Sequence, residues 1–173
     1  MTDYLIIDGY NVIGSWPELK GLRQNALAVA REKLVEVLAE YRAYTGEHVI
    51  VVFDAYRRKE AASQEISPGL EVVFSKKGQT ADSLIESLVT QLSGRHQVAV
   101  VTSDWAQQQI VLGKGARRWS SQEFRGEVVR VRGLISTSAS HTRRERGTTS
   151  FATRLDVSAR RQLEGLGRQE DKP

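Results

Sequence analysis

The sequence predicts an α/β fold with a mainly parallel central sheet flanked by helices. Short apolar runs that do not alternate with polar residues are typical of strands buried on both faces. Segments with helical periodicity separate these runs, and alternation of strand and helix favours a parallel sheet. The four apolar runs are residues 4–7, 49–53, 70–74 and 98–101.

Four segments have the periodicity of amphipathic helices: residues 25–46, 80–94, 103–115 and 120–133. In the first segment, Leu27, Ala30, Leu34, Val37, Leu38 and Tyr41 form one apolar stripe. Gly46 is a suitable residue to end that helix, and Thr80 can cap the start of the second. Ser103 or Asp104 can cap the third.

The composition changes after Gly133, where Ser, Thr and Arg dominate and the periodicity ends. We therefore expect a long loop there, followed by a short helix over residues 155–168. The predicted organisation is one domain over residues 1–135 and a basic loop with a short C-terminal helix over residues 136–173.

Composition and charge limit the class of protein. The chain has 173 residues and no cysteine, which excludes disulfides and thiolate metal sites. Its N-terminus lacks a basic region followed by an apolar one, and no apolar run is long enough to cross a membrane, so we expect a soluble cytoplasmic protein. Residues 125–173 carry 11 Lys/Arg against 6 Asp/Glu, whereas residues 1–124 carry 14 against 15. This basic flank is either a contact for an anionic partner or a solvated tail.

Three aspartates follow predicted strands, namely Asp8, Asp54 and Asp104, and a fourth, Asp82, falls in the first turn of a predicted helix. If the sheet is parallel, all four lie at the edge formed by the carboxyl ends of its strands, where ligands bind in such folds. Asn11 joins them from the loop after the first strand.

A single aspartate in such a place usually caps a helix or stabilises a turn. Four on one edge repel one another unless a cation neutralises them. Hard ions such as Mg²⁺ and Mn²⁺ prefer oxygen ligands, and one or two of them would activate water near a phosphate. Asn11 would supply a neutral carbonyl ligand or orient the water or the phosphate. Lys76 and Lys77 either reach the same phosphates or are solvated loop residues.

Four motifs occur in the order and spacing of a known family: "IIDGYNVIG", "VVFDAY", "KKGQTADSLI" and "VVTSDW". On these motifs the chain resembles the NYN domain, a PIN-like nuclease fold of three layers. The resemblance covers residues 3–135 and is greatest to the YacP-like branch, whose members resemble ribosome-associated mRNA endonucleases.

The resemblance implies that Asp8, Asp54, Asp82 and Asp104 are catalytic and metal-binding residues, with Asn11 as their polar partner. It implies Mg²⁺ or Mn²⁺ as cofactor, cleavage of single-stranded RNA and, less directly, the ribosome as a partner. Ser103 matches a small hydroxyl residue of the last motif and would support the site. Tyr10 lies near the same edge, where it either stacks on a base or packs in the core.

The basic residues near this edge and in the tail are predicted to bind RNA phosphates. They are Lys76, Lys77, Arg143, Arg144, Arg146 and Arg154. The alternative to a nuclease is a non-catalytic RNA- or ribosome-binding adaptor, in which RNA affinity would not depend on the four aspartates.

Overall fold

A computed structural model of the chain describes residues 2–23, 26–54, 62–76 and 78–138. Its strands are β1 (Tyr4–Asp8), β2 (His48–Phe53), β3 (Ala62–Ser67), β4 (Leu70–Phe74), β5 (Val98–Val101) and β6 (Arg117–Trp119). Its helices are α1 (Gly9–Ser15), α2 (Pro17–Arg23), α3 (Leu27–Thr45), α4 (Ala81–Leu92), α5 (Trp105–Gly113) and α6 (residues 121–138).

The six strands form one sheet in the order β3-β4-β2-β1-β5-β6. Every neighbouring pair is parallel except β3 with β4, which is antiparallel. The predicted α/β class and its four parallel strands are therefore confirmed. The sequence does not predict β3 and β6, which form the two edges of the sheet.

Helices cover both faces of the sheet. Successive side chains of a strand point to opposite sides, so the sheet packs side chains against both layers of helices. On one face Ile6, Val52 and Val100 pack with Ile85 and Val89 of α4 and with Val111 of α5 in one buried cluster. The alternate strand positions face the other side, where α3 contacts β2 and β4. Helix α3 buries Ala30, Leu34, Leu38 and Tyr41, which are members of the predicted stripe.

The helix ends agree with the caps that the sequence predicts. Thr80 accepts a hydrogen bond from the Ser83 backbone N–H at the start of α4, and Gly46 ends α3 in the left-handed conformation. Asp104, rather than Ser103, caps α5 by accepting from the Gln107 N–H. These caps fix where α4 and α5 begin, and both helices begin at the edge where strands β4 and β5 end.

Helix α6 joins the same core as α1 to α3. Phe124 is buried and its ring lies 5.9 Å from that of Trp16 and 5.3 Å from that of Tyr41. The indole N–H of Trp16 donates to the Ser121 carbonyl oxygen at 2.8 Å. The start of α6 is thereby held close to α1, which follows the first strand.

The prediction that a loop begins after Gly133 is wrong for residues 134–138, which continue α6. A glycine inside a helix costs about 1 kcal/mol, which is not enough to end it here. Thr137 and Ser138 also donate their hydroxyl protons to carbonyl oxygens four residues earlier. The described residues up to Arg132 form one compact unit. The predicted basic loop and short helix beyond residue 138 lie outside the described residues, so the predicted boundary at 135/136 stays a prediction.

None of the helices in the described part of the chain is long and apolar enough to span a membrane.

Candidate active site

The carboxyl ends of the parallel strands meet at one edge of the sheet, and the predicted acids lie along it. Strand register places Asp8 opposite Val52 of β2, and Ile7 opposite Val101 of β5. Strands β1, β2 and β5 thus end side by side. Asp54 lies one residue past the end of β2, and Asp104 lies three residues past the end of β5. Asp82 is the second residue of α4, which follows β4.

A cavity of about 540 Å³ opens at this edge. Three of the four predicted acids line it, together with Asn11 and Tyr10. The full lining is Asp8, Tyr10, Asn11, Gly14, Ser15, Asp54, Thr80, Ala81 and Asp82. The structure thus brings most of the predicted site residues to one concave surface, which is the usual form of a small-molecule or catalytic site.

Asp8 has the most perturbed pKa of the four acids. The pKa of its carboxyl is raised to about 6: burial is the largest cause, a hydrogen bond from the Asn11 N–H opposes it, and the charges of Asp82, Asp104 and Asp54 add to it. That hydrogen bond, 3.1 Å long, caps α1. Strongly perturbed carboxyls in a cleft are characteristic of functional sites.

The other three acids differ in how they are held. Asp54 is half-buried and accepts a hydrogen bond from the Ser75 hydroxyl at 3.3 Å. Asp82 is exposed, and burial followed by the charge of Asp104 raises the pKa of its carboxyl. Asp104 is exposed and lies outside the cavity lining, but its charge raises the pKa of both Asp8 and Asp82. The four acids therefore form one electrostatically connected group.

Asn11 is fixed by two hydrogen bonds to its amide oxygen. The Ser103 backbone N–H donates to Oδ1 at 2.9 Å, and the Ser121 hydroxyl donates to the same atom at 2.6 Å. Because a backbone N–H can only donate, Oδ1 must be the atom that faces Ser103, and Nδ2 faces the other way. Of the two roles that the sequence leaves open for Asn11, this arrangement favours donation to a water or phosphate over metal ligation by the carbonyl.

Ser103 and Ser121 hold Asn11 in place. The Ser121 N–H donates to the Ser103 hydroxyl oxygen at 3.1 Å, so the two serines also bond to each other. The contact with Asn11 is consistent with the predicted supporting role of Ser103, which stays a prediction, whereas Ser121, which is fully buried, was missed. No motif marks Ser121, because its contact with Asn11 joins residues 110 positions apart.

Tyr10 packs against a buried ring and also lines the cavity, so core packing and base stacking are not exclusive roles for it. Its ring lies 5.0 Å from that of Phe53, which is buried and stacks on Phe74 at 5.6 Å. A Cβ on Gly9 would overlap the Phe53 ring, so the glycine of "DGYN" allows this close packing. The Tyr10 hydroxyl oxygen accepts a hydrogen bond from Arg31 Nη1 of α3 at 2.9 Å.

The predicted RNA-binding residues are only partly described. Lys76 is exposed, follows β4 at the same edge and is not part of the cavity lining. The other predicted members, Lys77, Arg143, Arg144, Arg146 and Arg154, lie outside the described residues. Their role in RNA binding stays a prediction.

The acids have the right donor chemistry for a divalent ion, but they are not preassembled around one. Carboxylate oxygens are the ligands that Mg²⁺ and Mn²⁺ prefer. Burial, and after it repulsion from the neighbouring acids, raises the pKa values of Asp8 and Asp82, and a bound cation would favour their ionised forms. Within the ranges that the structure describes, no three His, Asp or Glu side chains form a group that could hold a metal ion. Mg²⁺ commonly binds through one or two carboxylates and keeps several waters, so the residues fit an ion of that kind.

The mostly parallel sheet, with acidic residues at the carboxyl ends of its strands and "DGYN" after the first strand, agrees with the NYN domain that the four motifs resemble. The chain belongs to the family described as the YacP-like NYN domain, whose model matches residues 5–168. The resemblance found in the four motifs is therefore confirmed.

Similar proteins come from Bacillus subtilis. The chain is 44% identical over 127 residues to the uncharacterised protein YacP of strain 168, a match that covers 73% of this chain and 75% of that protein. It is similar to a crystal structure of Rae1 (YacP), with a TM-score of 0.72, 36% identity, and 97% and 96% of the two chains covered. A crystal structure of a mutant of Rae1 (YacP) matches with a TM-score of 0.67 and 41% identity over 78% and 80% of the chains. Family membership indicates a nuclease-type, RNA-related function, and NYN domains typically use divalent metals.

Proposed function

We propose that this protein is a metal-dependent endoribonuclease that hydrolyses phosphodiester bonds of single-stranded RNA. The observation that carries the proposal is the cavity at the carboxyl edge of the sheet, where Asp8, Asp54 and Asp82 line one surface. Each of these acids comes from a different strand end or helix start, and burial together with their mutual repulsion raises the pKa of Asp8 to about 6. Such an arrangement is costly for folding alone and useful for binding a cation.

Asp8, Asp54, Asp82 and Asp104 are the residues that would hold Mg²⁺ or Mn²⁺. The chemistry that a hard divalent ion supplies in such a site is neutralisation of phosphate charge and a lowered pKa of bound water. The residues of the chain orient the reactants. Asn11, with Oδ1 held by Ser103 and Ser121, presents Nδ2 as a donor for a phosphate oxygen or for the attacking water.

The proposed context is mRNA cleavage on or near the ribosome, in the cytoplasm. This part of the proposal is supported by the resemblance to the YacP-like branch and by the net positive charge of residues 125–173. Positive side chains bind the phosphate backbone without regard to sequence, which suits an enzyme that holds a long RNA strand.

The test is cleavage of a long, end-labelled mRNA in Mn²⁺, in Mg²⁺ and in EDTA, with and without translating ribosomes. Wild-type protein is compared with Asp8→Asn and Asp82→Asn, which change charge with little change in size. The expected result is a set of discrete internal cuts that require metal and fall by at least about 100-fold in both variants. Cuts that appear only with ribosomes would support the proposed context.

The adaptor alternative gives a different result in the same experiment. An adaptor would show no metal-dependent cuts under any condition, and its affinity for RNA or ribosomes would be the same in wild type and in both variants. That outcome would overturn the nuclease proposal and leave a binding protein.

A further inference from the structure

Arg31 of α3 stands out among the basic residues of the described chain because its side chain bonds to the wall of the acidic cavity. Its Nη1 donates to the hydroxyl oxygen of Tyr10 at 2.9 Å, and Tyr10 lines the cavity. Among the residues that the structure describes, no other Lys or Arg side chain is hydrogen-bonded to a lining residue. Arg31 is not itself a lining residue, so it places a positive charge next to the Tyr10 hydroxyl, at the wall of a cavity whose charged lining residues are all acidic.

The neutral partner of Arg31 distinguishes it from four other arginines of the compact unit. Arg118, Arg125, Arg130 and Arg132 each form an ion pair with a glutamate. Arg31 is half-buried and bonds to a phenol, and no carboxylate of the described residues pairs with it. Its charge is thus not compensated by a carboxylate of the described residues, and a guanidinium retains several further N–H donors after one is used.

Tyr10, which lines the cavity, has a hydrogen-bond donor of its own. Its oxygen accepts from Arg31, so its own O–H proton remains free to donate. The ring is held firmly, because it packs on Phe53, whose approach depends on the missing Cβ of Gly9. The hydroxyl is therefore presented from a rigid wall, and the cost of ordering it on binding is low.

We infer that the Arg31–Tyr10 pair binds a phosphate group of the RNA strand beside the bond that is cut. The inference rests on the proposed function, because it names the part of the substrate that this wall of the cavity holds. A phosphate that approaches four carboxylates is repelled, and a guanidinium with an adjacent hydroxyl offers charge-assisted hydrogen bonds to its oxygens. The contact is to the backbone, so it positions the strand without reading its sequence.

The experiment measures binding apart from cleavage. Protein that carries Asp82→Asn is titrated in EDTA with a fluorescent single-stranded oligouridylate, and the affinity is followed by anisotropy from about 50 to 200 mM salt. For single strands, the slope of log affinity against log salt is about −0.7 for each phosphate contacted. Adding Arg31→Ala should make the slope shallower by about 0.7 and weaken binding several-fold.

Three further variants separate a phosphate contact from a general effect of charge. Lys33→Ala removes the same charge from an exposed position two residues away on α3, and it should leave the slope unchanged. Tyr10→Phe should retain the slope but weaken binding, because it removes a hydrogen bond and no charge. Arg31→Lys should retain the slope and lose part of the affinity, because an ammonium cannot form the bidentate contact. Urea unfolding of each variant establishes that it is folded.

The possible outcomes distinguish this inference from the proposed function. If wild type cuts RNA with metal but Arg31→Ala and Lys33→Ala have the same salt slope, the phosphate contact is overturned and the nuclease stands. If wild type does not cut RNA, and Arg31→Ala has a shallower salt slope while Lys33→Ala does not, the nuclease proposal fails and the contact stands as an RNA-binding element. Absence of measurable oligouridylate binding at the lowest salt would overturn the contact.

Discussion

At the scale of single residues, Asp8 shows the conflict between stability and the proposed chemistry. Its carboxyl is half-buried near three other acids, and its pKa is raised from 3.8 to about 6, chiefly by burial. Between these two values the folded protein binds more protons than the unfolded chain does. The free energy of unfolding therefore falls as pH rises through this window, and ionised Asp8 destabilises the metal-free protein above it.

Asp8→Asn should stabilise the metal-free protein at about pH 7. A rise in pKa from 3.8 to about 6 corresponds to roughly 3 kcal/mol at most, so we expect a gain of about 1–3 kcal/mol. Asn is as good a helix cap as Asp, so the start of α1 should be preserved. The measurement is urea unfolding in EDTA at about pH 7 and again at about pH 4, where the difference should nearly vanish.

The control for this prediction is Glu36→Gln, which neutralises an exposed carboxylate of α3 and should change stability by less than about 0.5 kcal/mol. A destabilised Asp8→Asn protein at neutral pH would contradict the prediction. It would mean that the Asp8 carboxylate is compensated by the fold itself, and the case for a cation at this site would be weaker.

The candidate site residues that the sequence predicts have a local sequence signal, whereas those it does not predict are visible only from contacts in the folded structure. Asp8, Asp54 and Asp104 are visible because each directly ends or follows an apolar run, and parallel pairing alone brings such positions together. Ser121 and Arg31 carry no such signal. Their roles come from contacts with Asn11 and Tyr10, and these contacts depend on how α6 and α3 pack against α1.

At the scale of elements, the helices and strands that the sequence predicts have local signals, whereas the others depend on contacts with other parts of the chain. The four parallel strands and α3, α4 and α5 have local signals, namely apolar runs, periodic stripes and caps. Helix α1 ("GYNVIGS") is short and contains two glycines, so its propensity is poor; it is held by the Asp8 cap and by buried Val12 and Ile13. Strands β3 ("ASQEIS") and β6 ("RRW") are polar or very short, and only pairing with β4 and β5 defines them.

The contact between α1 and the start of α6 gives a prediction at this scale. Ser121→Ala removes the hydroxyl that donates to Asn11 Oδ1 and leaves that oxygen with one donor, the Ser103 N–H. We expect a loss of about 1–2 kcal/mol in the free energy of unfolding and roughly tenfold slower RNA cleavage, because Asn11 is less precisely held. Urea unfolding and single-turnover cleavage in Mn²⁺ measure the two effects.

Ser120→Ala is the matched control for Ser121→Ala. The Ser120 hydroxyl oxygen accepts from the Glu123 N–H at 3.2 Å and caps the same helix without contact to Asn11. It should cost about 1 kcal/mol of stability and leave cleavage unchanged. If both variants slow cleavage equally, the effect comes from the position of α6 as a whole, and the specific role of Ser121 is wrong.

At the scale of the whole molecule, charge is divided between an acidic site and a basic flank. Residues 1–124 have a net charge of −1 and residues 125–173 a net charge of +5. An acidic cavity disfavours a polyanion, so the affinity for RNA must come largely from positive side chains elsewhere. We expect Arg143, Arg144 and Arg146, which form the densest basic group of the flank, to supply part of it.

The triple variant Arg143→Ala, Arg144→Ala, Arg146→Ala should weaken binding of single-stranded RNA uniformly across sequences. If each arginine contacts one phosphate, the slope of log affinity against log salt becomes shallower by about 2. The matched control is Lys20→Ala, Lys33→Ala, Arg95→Ala, which removes the same charge from exposed positions on three different parts of the compact unit. Equal slopes for the two triple variants would identify the flank as a solvated tail. If only the triple arginine variant has a shallower slope, the basic flank is the part of the molecule that holds RNA while the cavity acts on it.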